Sequence, residues 1–179
     1  MIEKSIDRRL EEVIRDVPDF PKPGIIFKDI TPILKDPDLC RAVVERMCAL
    51  IDPSSVDVIA GIESRGFLFG LMLAERLGKP FVPVRKAGKL PHDTVKQEYA
   101  LEYGSAVIEM HADAFSNGSR VLIHDDLLAT GGTVVATSRL IQRLGGSIAG
   151  YTFIISLDFL NGRERLTGYS ANIHSLVGY

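Results

Sequence analysis

An open, mostly parallel α/β sheet flanked by helices is the fold this sequence predicts, and three features predict it. Short apolar runs alternate with amphipathic stretches of helical period, the pattern of a parallel sheet covered on its faces. Two of these runs end in donor-rich loops that open directly into helices, Glu63-Ser64-Arg65-Gly66 and Ala129-Thr130-Gly131-Gly132-Thr133. The 179 residues have room for one sizeable core, so residues 1–179 are read as a single domain.

The elements follow in order. Residues 3–16 carry Ile6, Leu10, Val13 and Ile14 among charged residues, which predicts an amphipathic opening helix. Pro18 and the Pro21-Lys22-Pro23-Gly24 turn end it. The proline-fenced run from Ile25 to Pro32 reads, on its residues alone, as an edge strand. Residues 38–51 predict a helix with Leu39, Val43, Val44, Met47 and Leu50 on one side. Residues 56–62 predict a buried strand and 67–77 a helix. Phe81 to Lys86 is the next strand. A polar, glycine-containing excursion follows and returns as strand-like sequence at 99–104. Such an excursion inside a compact domain is a solvated hairpin or a mobile lid. Residues 147–157 are an apolar strand, 161–166 a polar turn or short helix, and 173–177 a last strand.

The chain is organised around Val121-Leu122-Ile123-His124-Asp125-Asp126-Leu127-Leu128-Ala129-Thr130-Gly131-Gly132-Thr133. It reads as a short apolar strand, two acids, and a Gly/Thr loop opening a helix over 133–144, which Gly145-Gly146 stops. Backbone N–H groups and the positive end of a helix dipole meet at such a junction, and a phosphate fits there. Gly131 and Gly132 let an anion approach the backbone, and Thr130 and Thr133 add hydroxyl donors. Asp125 and Asp126 would repel that phosphate and so face something else; a vicinal diol or a hydrated cation suits them. Diol and phosphate monoester together describe a ribose 5-phosphate. The loop at Ser64 and Arg65 is a second anion site by the same physics, or an ordinary βα loop with one exposed arginine. Arg85, Lys86 and Lys89 cluster at the root of the polar excursion.

The central run resembles the phosphoribosyl-pyrophosphate signature of the type I phosphoribosyltransferases, in the form typical of the adenine phosphoribosyltransferases. Phe20-Pro-x-Pro-Gly-Ile-Ile-Phe-Lys-Asp-Ile-Thr-Pro is similar to the family's amino-terminal hood, Gly-Ile-Glu-Ser-Arg-Gly-Phe to its pyrophosphate loop, and Arg-Lys-x-Gly-Lys-Leu-Pro with Tyr-x-Leu-Glu-Tyr-Gly to its flexible loop. The likeness spans residues 20–166 in the family's order. It implies a hood at about 1–35 and a lid at about 85–104. Asp125 and Asp126 would then hold the ribose hydroxyls, and Ala129, Thr130, Gly131, Gly132 and Thr133 would wrap the 5′-phosphate. Ser64, Arg65, Arg85, Lys86 and Lys89 would take the pyrophosphate, with a cis peptide near Glu63–Ser64. Backbone groups around Ile26 would read the adenine edge while Phe27 stacks on the ring and Leu127 forms the opposite face. Lys28 stands beside them where family members carry Arg. Glu102 is the family's candidate at purine N7 and, with Arg65, the catalytic pair; as a lone residue Glu102 reads equally well as a solvated strand-end acid. Ala129 stands where hypoxanthine-guanine relatives have an Asp, which it cannot replace.

The reaction implied is Mg²⁺-dependent: adenine N9 attacks the anomeric carbon of phosphoribosyl pyrophosphate, giving AMP and pyrophosphate with inversion. Substrate would hold the Mg²⁺ for the most part, without a dedicated protein metal site. A homodimer is also implied. Two other readings compete: a same-fold enzyme for another purine, and a regulator that senses phosphoribosyl pyrophosphate without catalysis. The composition narrows the field. With 21 basic and 23 acidic residues, net charge −2 and no basic run, no nucleic-acid footprint is present. Cys40 and Cys48 are too few for a disulfide scaffold and are expected to be buried thiols. No apolar signal or membrane span is read, so a soluble, cytoplasmic protein is expected. His124 is expected to be a satisfied structural histidine; His92, His111 and His174 match nothing.

Overall fold

The computed structural model describes residues 5–100 and 104–179. Helix α1 (Ile6–Val13) is followed by a two-stranded antiparallel hairpin, β1 (Arg15–Pro18) and β2 (Ile26–Asp29). The opening helix is shorter than expected because residues 15–18 pair with β2 instead of extending it. Across this hairpin Lys28 Nζ meets Asp16 at 2.7 Å and Arg15 meets Asp29 at 3.8 Å. Asp19 Oδ1 accepts from the Gly24 amide at 2.7 Å, closing the turn around the cis Phe20–Pro21 bond.

Helix α2 (Pro37–Cys48) is capped by Asp36, whose carboxylate accepts from the amides of Asp38 and Leu39. Strand β3 (Val58–Ile62) leads into α3 (Gly66–Leu77), then β4 (Phe81–Lys86). The polar excursion is largely a hairpin: β5 (Thr94–Ala100) pairs antiparallel with β6 (Ser105–His111) along its full length. Tyr99 and Ala100 of the strand expected at 99–104 end β5, residues 101–103 lie outside the described residues, and β6 is a strand the sequence does not announce. Its half-polar pattern was not legible as a strand. Strand β7 (Arg120–Leu128), helix α4 (Gly132–Arg143), strand β8 (Ser147–Ser156), the short α5 (Gly162–Leu166) and β9 (Ile173–Gly178) complete the chain.

The main sheet runs β5-β6-β4-β3-β7-β8-β9. Strands β4, β3, β7, β8 and β9 are parallel, and the β5–β6 hairpin adds an antiparallel edge to β4. Residues of alternate parity along the central strands serve two cores. Val58, Ala60, Ile62, Val121, Ile123, Tyr151 and Phe153 pack with α4 on one face. Ile59, Leu122, Ile154 and Val177 pack with α1, α2 and α3 on the other. Burial on both faces is what makes these strands near-continuous apolar runs. Cys40 and Cys48 both lie on α2 as free, half-buried thiols, not fully buried ones, because each packs only against the margin of the second core. The Cys40 thiol donates to the Ile33 carbonyl at 3.3 Å. No helix among the described residues is long and apolar enough to cross a membrane.

Candidate active site

The acid pair stands where neighbouring strands stop at different heights. β3 pairs with β7 only as far as Gly61 opposite His124, whereas β7 stays paired with β8 through Asp125, Leu127 and Leu128. Asp125 and Asp126 are thus inside a strand, not after its end as the sequence reading has it. Continued pairing with β8 carries β7 past the carboxyl end of β3, with Asp125 level with Ile62 and Asp126 beyond it. The chain leaving β3 turns there through a cis Glu63–Ser64 peptide, the bond the resemblance implies, and enters α3. A Cβ at Gly66 would sit 3.0 Å from Asp125 Oδ1, so only glycine lets the first turn of α3 lie against this acid.

Arg65 ties the turn before α3 to the acid pair and to the hood. Its Nε meets Asp126 Oδ2 at 2.6 Å, an ion pair whose N–H is not aligned for a hydrogen bond. Its guanidinium carbon lies 4.7 Å from the Phe27 ring centroid, which brings the hood to the acids. Phe20 packs edge-on against Phe27 at 5.2 Å. Burial pushes the Asp125 carboxyl well above the usual carboxylate range, and the charge of Asp126 adds to it. Burial raises Asp126 as well, with Arg65 opposing it. Two acids that resist losing both protons in isolation are disposed to accept a cation or hydroxyl donors. Glu63, Ser64, Arg65, Lys86, Asp125, Asp126 and Leu127 line a polar cavity of about 300 Å³.

The phosphate loop lies beside it. Gly131 has φ +76° at the N-cap of α4, and no side chain caps that helix. Its first-turn amides are thereby left for a ligand. The loop is pressed against α5: a Cβ on Gly162 would lie 2.0 Å from the Ala129 carbonyl oxygen, and Arg165 Nη1 donates to the Thr130 carbonyl at 3.0 Å. Thr133 Oγ1 donates to the Tyr99 hydroxyl at 3.2 Å, so the end of β5 borders the same loop. A second, apolar cavity of about 470 Å³ opens next to Thr130, lined by Ile25, Ile26, Lys28, Leu157, Phe159, Leu160 and Tyr179. Lys28 forms its wall, with Nζ on Asp16 and 3.5 Å from the Tyr179 ring centroid. Leu157, Phe159 and Tyr179 were missed by the sequence reading. The signal available was the pair of bulky apolar residues, Phe159 and Leu160, placed just past a strand end.

Arg85 and Lys86 sit at the end of β4, and Glu63 fixes them. Glu63 Oε2 accepts from Arg85 Nε at 3.1 Å and from the Lys86 amide at 3.0 Å. Burial works to raise the Glu63 carboxyl, and the Lys86 amide and Arg85 guanidinium outweigh it, holding it below its ordinary value. The Lys89 carbonyl accepts from Arg85 Nη1 at 3.1 Å. Glu102 lies outside the described residues. His124 is buried between β3 and β8, with Nδ1 3.0 Å from Thr152 Oγ1. The satisfied histidine of the sequence reading is only half so, because Nε2 has no hydrogen-bond partner among the described residues. Burial lowers its pKa to about 4.

A parallel sheet with a phosphate-ready helix start, an acid pair and a second anion loop at its carboxyl edge defines a class, and comparison with known proteins agrees. The chain belongs to the phosphoribosyl transferase domain family, whose model matches residues 33–165. Within that family it is similar to the adenine phosphoribosyltransferase of Cytophaga hutchinsonii, 54% identical over 99% of this chain and 98% of the relative. The solved adenine phosphoribosyltransferase of Thermoanaerobacter pseudethanolicus superposes with a TM-score of 0.93 at 49% identity, covering 97% of this chain and 99% of that one. That of Saccharomyces cerevisiae, complexed with adenine and an imino-altritol bisphosphate, gives 0.90 at 40% identity, over 96% and 98%.

Proposed function

We propose that the protein is an enzyme of purine salvage that transfers the 5-phosphoribosyl group of phosphoribosyl pyrophosphate to N9 of adenine, yielding AMP and pyrophosphate. The observation that carries this reading is a pair of cavities on the stretch that leads into α4, a polar one at the acid pair lined as far as Leu127 and an apolar one at the hood lined by Thr130. A sugar phosphate and a planar base need those two environments side by side.

In this reading the amides of Ala129 to Thr133 take the 5′-phosphate and Asp125 and Asp126 hold the ribose hydroxyls. Ser64, Arg65, Arg85, Lys86 and Lys89 neutralise the departing pyrophosphate. Ile26 and Lys28 meet the adenine from the wall of the apolar cavity, and Phe27, which lies over Arg65, and Leu127, which lines the polar cavity, meet it from the side of the acid pair. Lys28 acts through the cavity wall, since its ammonium is already held by Asp16 and Tyr179. Glu102 meets purine N7. The protein supplies positioning, charge and exclusion of water more than covalent chemistry. The two raised carboxyls beside a polar cavity suit Mg²⁺ held mainly through substrate oxygens, and the ion would neutralise charge on the diphosphate. Residues of about 1–35 form the hood of a single domain. Residues of about 85–104 close over the site as a lid, a role favoured by the contact of Tyr99 with the phosphate loop.

The enzyme is cytoplasmic and a homodimer. Leu68 and Leu71 on α3, 41% and 57% exposed, give an apolar patch within two turns of Arg65 that a second copy would cover. The test is AMP formation from adenine and phosphoribosyl pyrophosphate, with and without a chelator. Equimolar AMP and pyrophosphate, abolished by chelation and restored by Mg²⁺, is the expected result. Nucleotide binding without any turnover would move the regulator reading ahead of it.

A further inference from the structure

We propose that Glu109 is a positioning residue for the pyrophosphate end of the site, its buried carboxylate holding the turn that carries Lys89 and braces Arg85. The inference rests on the assignment of Arg85, Lys86 and Lys89 to the pyrophosphate. Glu109 lies on β6 between Ile108 and Met110, both core residues, and is itself only 1% exposed. A carboxylate there is costly unless hydrogen bonds replace its water. They do, and nearly all come from one turn. Oε1 accepts from the Lys89 amide at 2.8 Å and the Leu90 amide at 2.9 Å, and Oε2 from Thr94 Oγ1 at 3.3 Å. The nearest ammonium, Lys96 Nζ, stands 3.9 Å away. Burial tends to raise the Glu109 carboxyl, and the amides of Leu90, Gly88 and Lys89 overcome it, so the group stays ionised.

The same turn is held from two further directions. Arg85, the cross-strand neighbour of Glu109, donates through Nη1 to the Lys89 carbonyl. Glu63 in turn binds Arg85 Nε and the Lys86 amide. Amide donors to an ionised acceptor are about twice as strong as neutral pairs, so Glu109 fixes the turn more tightly than a neutral acceptor would. The cationic segment is thereby clasped between two carboxylates, one at the site and one beneath it. Loss of the lower one leaves the cations present but loosely aimed. That defect falls on the pyrophosphate end of the substrate and spares adenine.

The experiment compares Glu109→Gln, Lys89→Ala and the double variant, measuring KM for each substrate, kcat, thermal stability and hydrogen exchange across residues 86–92. Glu109→Gln is expected to raise KM for phosphoribosyl pyrophosphate roughly tenfold, the scale of one hydrogen bond to a charged group. KM for adenine should stay unchanged, and exchange of the 89–90 amides should quicken. Glu109→Asp, which keeps the charge and shortens the reach, should recover part of the loss. The double variant should be little worse than the more severe single one, because both act through one turn. Lys89→Ala without effect would remove the pyrophosphate assignment and this inference with it. An effect of Lys89→Ala with none from Glu109→Gln, or an equal rise in both KM values, would overturn the inference alone. Should Glu109→Gln fail to fold, Thr94→Val carries the same test, with an expected rise of roughly twofold confined to phosphoribosyl pyrophosphate; no rise would overturn it.

Discussion

Asp125 is kept at the price of stability. Its carboxyl is pushed up by burial and by Asp126, so the folded state prefers the protonated form. The resulting penalty is present above the folded pKa and relieved as pH falls through it. Asp125→Asn removes the penalty while its side-chain oxygen can still accept from the Asp126 amide, as Asp125 Oδ1 does at 2.9 Å. We expect this variant to melt higher at neutral pH by roughly 2–4 °C, the equivalent of about 1 kcal/mol in a chain of this size, while turnover falls by orders of magnitude. Calorimetry and AMP formation check the two halves; lower stability with normal turnover would contradict both. His124 works in the opposite sense. Its folded pKa, about 4 against an ordinary 6.5, means stability is fully present above the unfolded pKa and lost as pH falls towards the folded one. The loss reaches about 3 kcal/mol at most. His124→Val should therefore resist acid better, its urea midpoint falling less between pH 7.5 and 5 than that of the wild type. An identical fall in both would show that His124 does not carry the acid sensitivity. The acid pair was legible in the sequence because two carboxylates before a Gly/Thr loop demand a reason. Glu63 and Glu109 were not, since an acid in a mixed strand or loop reads as solvated until its amide partners are brought to it.

At the scale of elements, the phosphate loop depends on α5. Gly162 must lack a Cβ because the Ala129 carbonyl occupies that position. Gly162→Ala should force the two apart, costing about 1–3 kcal/mol and raising KM for phosphoribosyl pyrophosphate more than that for adenine. Urea unfolding and steady-state kinetics give both numbers, and an unaltered KM would show that loop and helix are independent. The strand–loop–helix junctions at Ser64–Arg65 and at 129–133 were readable from sequence, as periodicity and glycine placement fix them locally. A hairpin was one of the two readings of the polar excursion, but its extent and its second strand, β6, were not readable. Its residues alternate imperfectly, and its pairing is decided by β4 and α4, which are distant in sequence. The same holds for the extension of β7 through the acids, which only its pairing with β8 determines.

For the whole molecule, the sheet places a polar cavity at the acid pair and an apolar cavity that reaches Thr130, and the hood approaches the polar one through Phe27 over Arg65 while Ile26 and Lys28 line the apolar one. The parallel architecture followed from the alternation of elements alone. The apolar cavity did not, because Ile26, Leu157 and Tyr179 converge from three remote segments. The central claim is that this site joins phosphoribosyl pyrophosphate to adenine and not to an oxopurine. The most direct measurement is Mg²⁺-dependent pyrophosphate release with adenine, hypoxanthine, guanine and xanthine in parallel. Release with adenine alone is the result this structure predicts. Release with an oxopurine in place of adenine would leave the fold and the phosphate loop standing and contradict the roles given to Phe27, Ala129 and the hood.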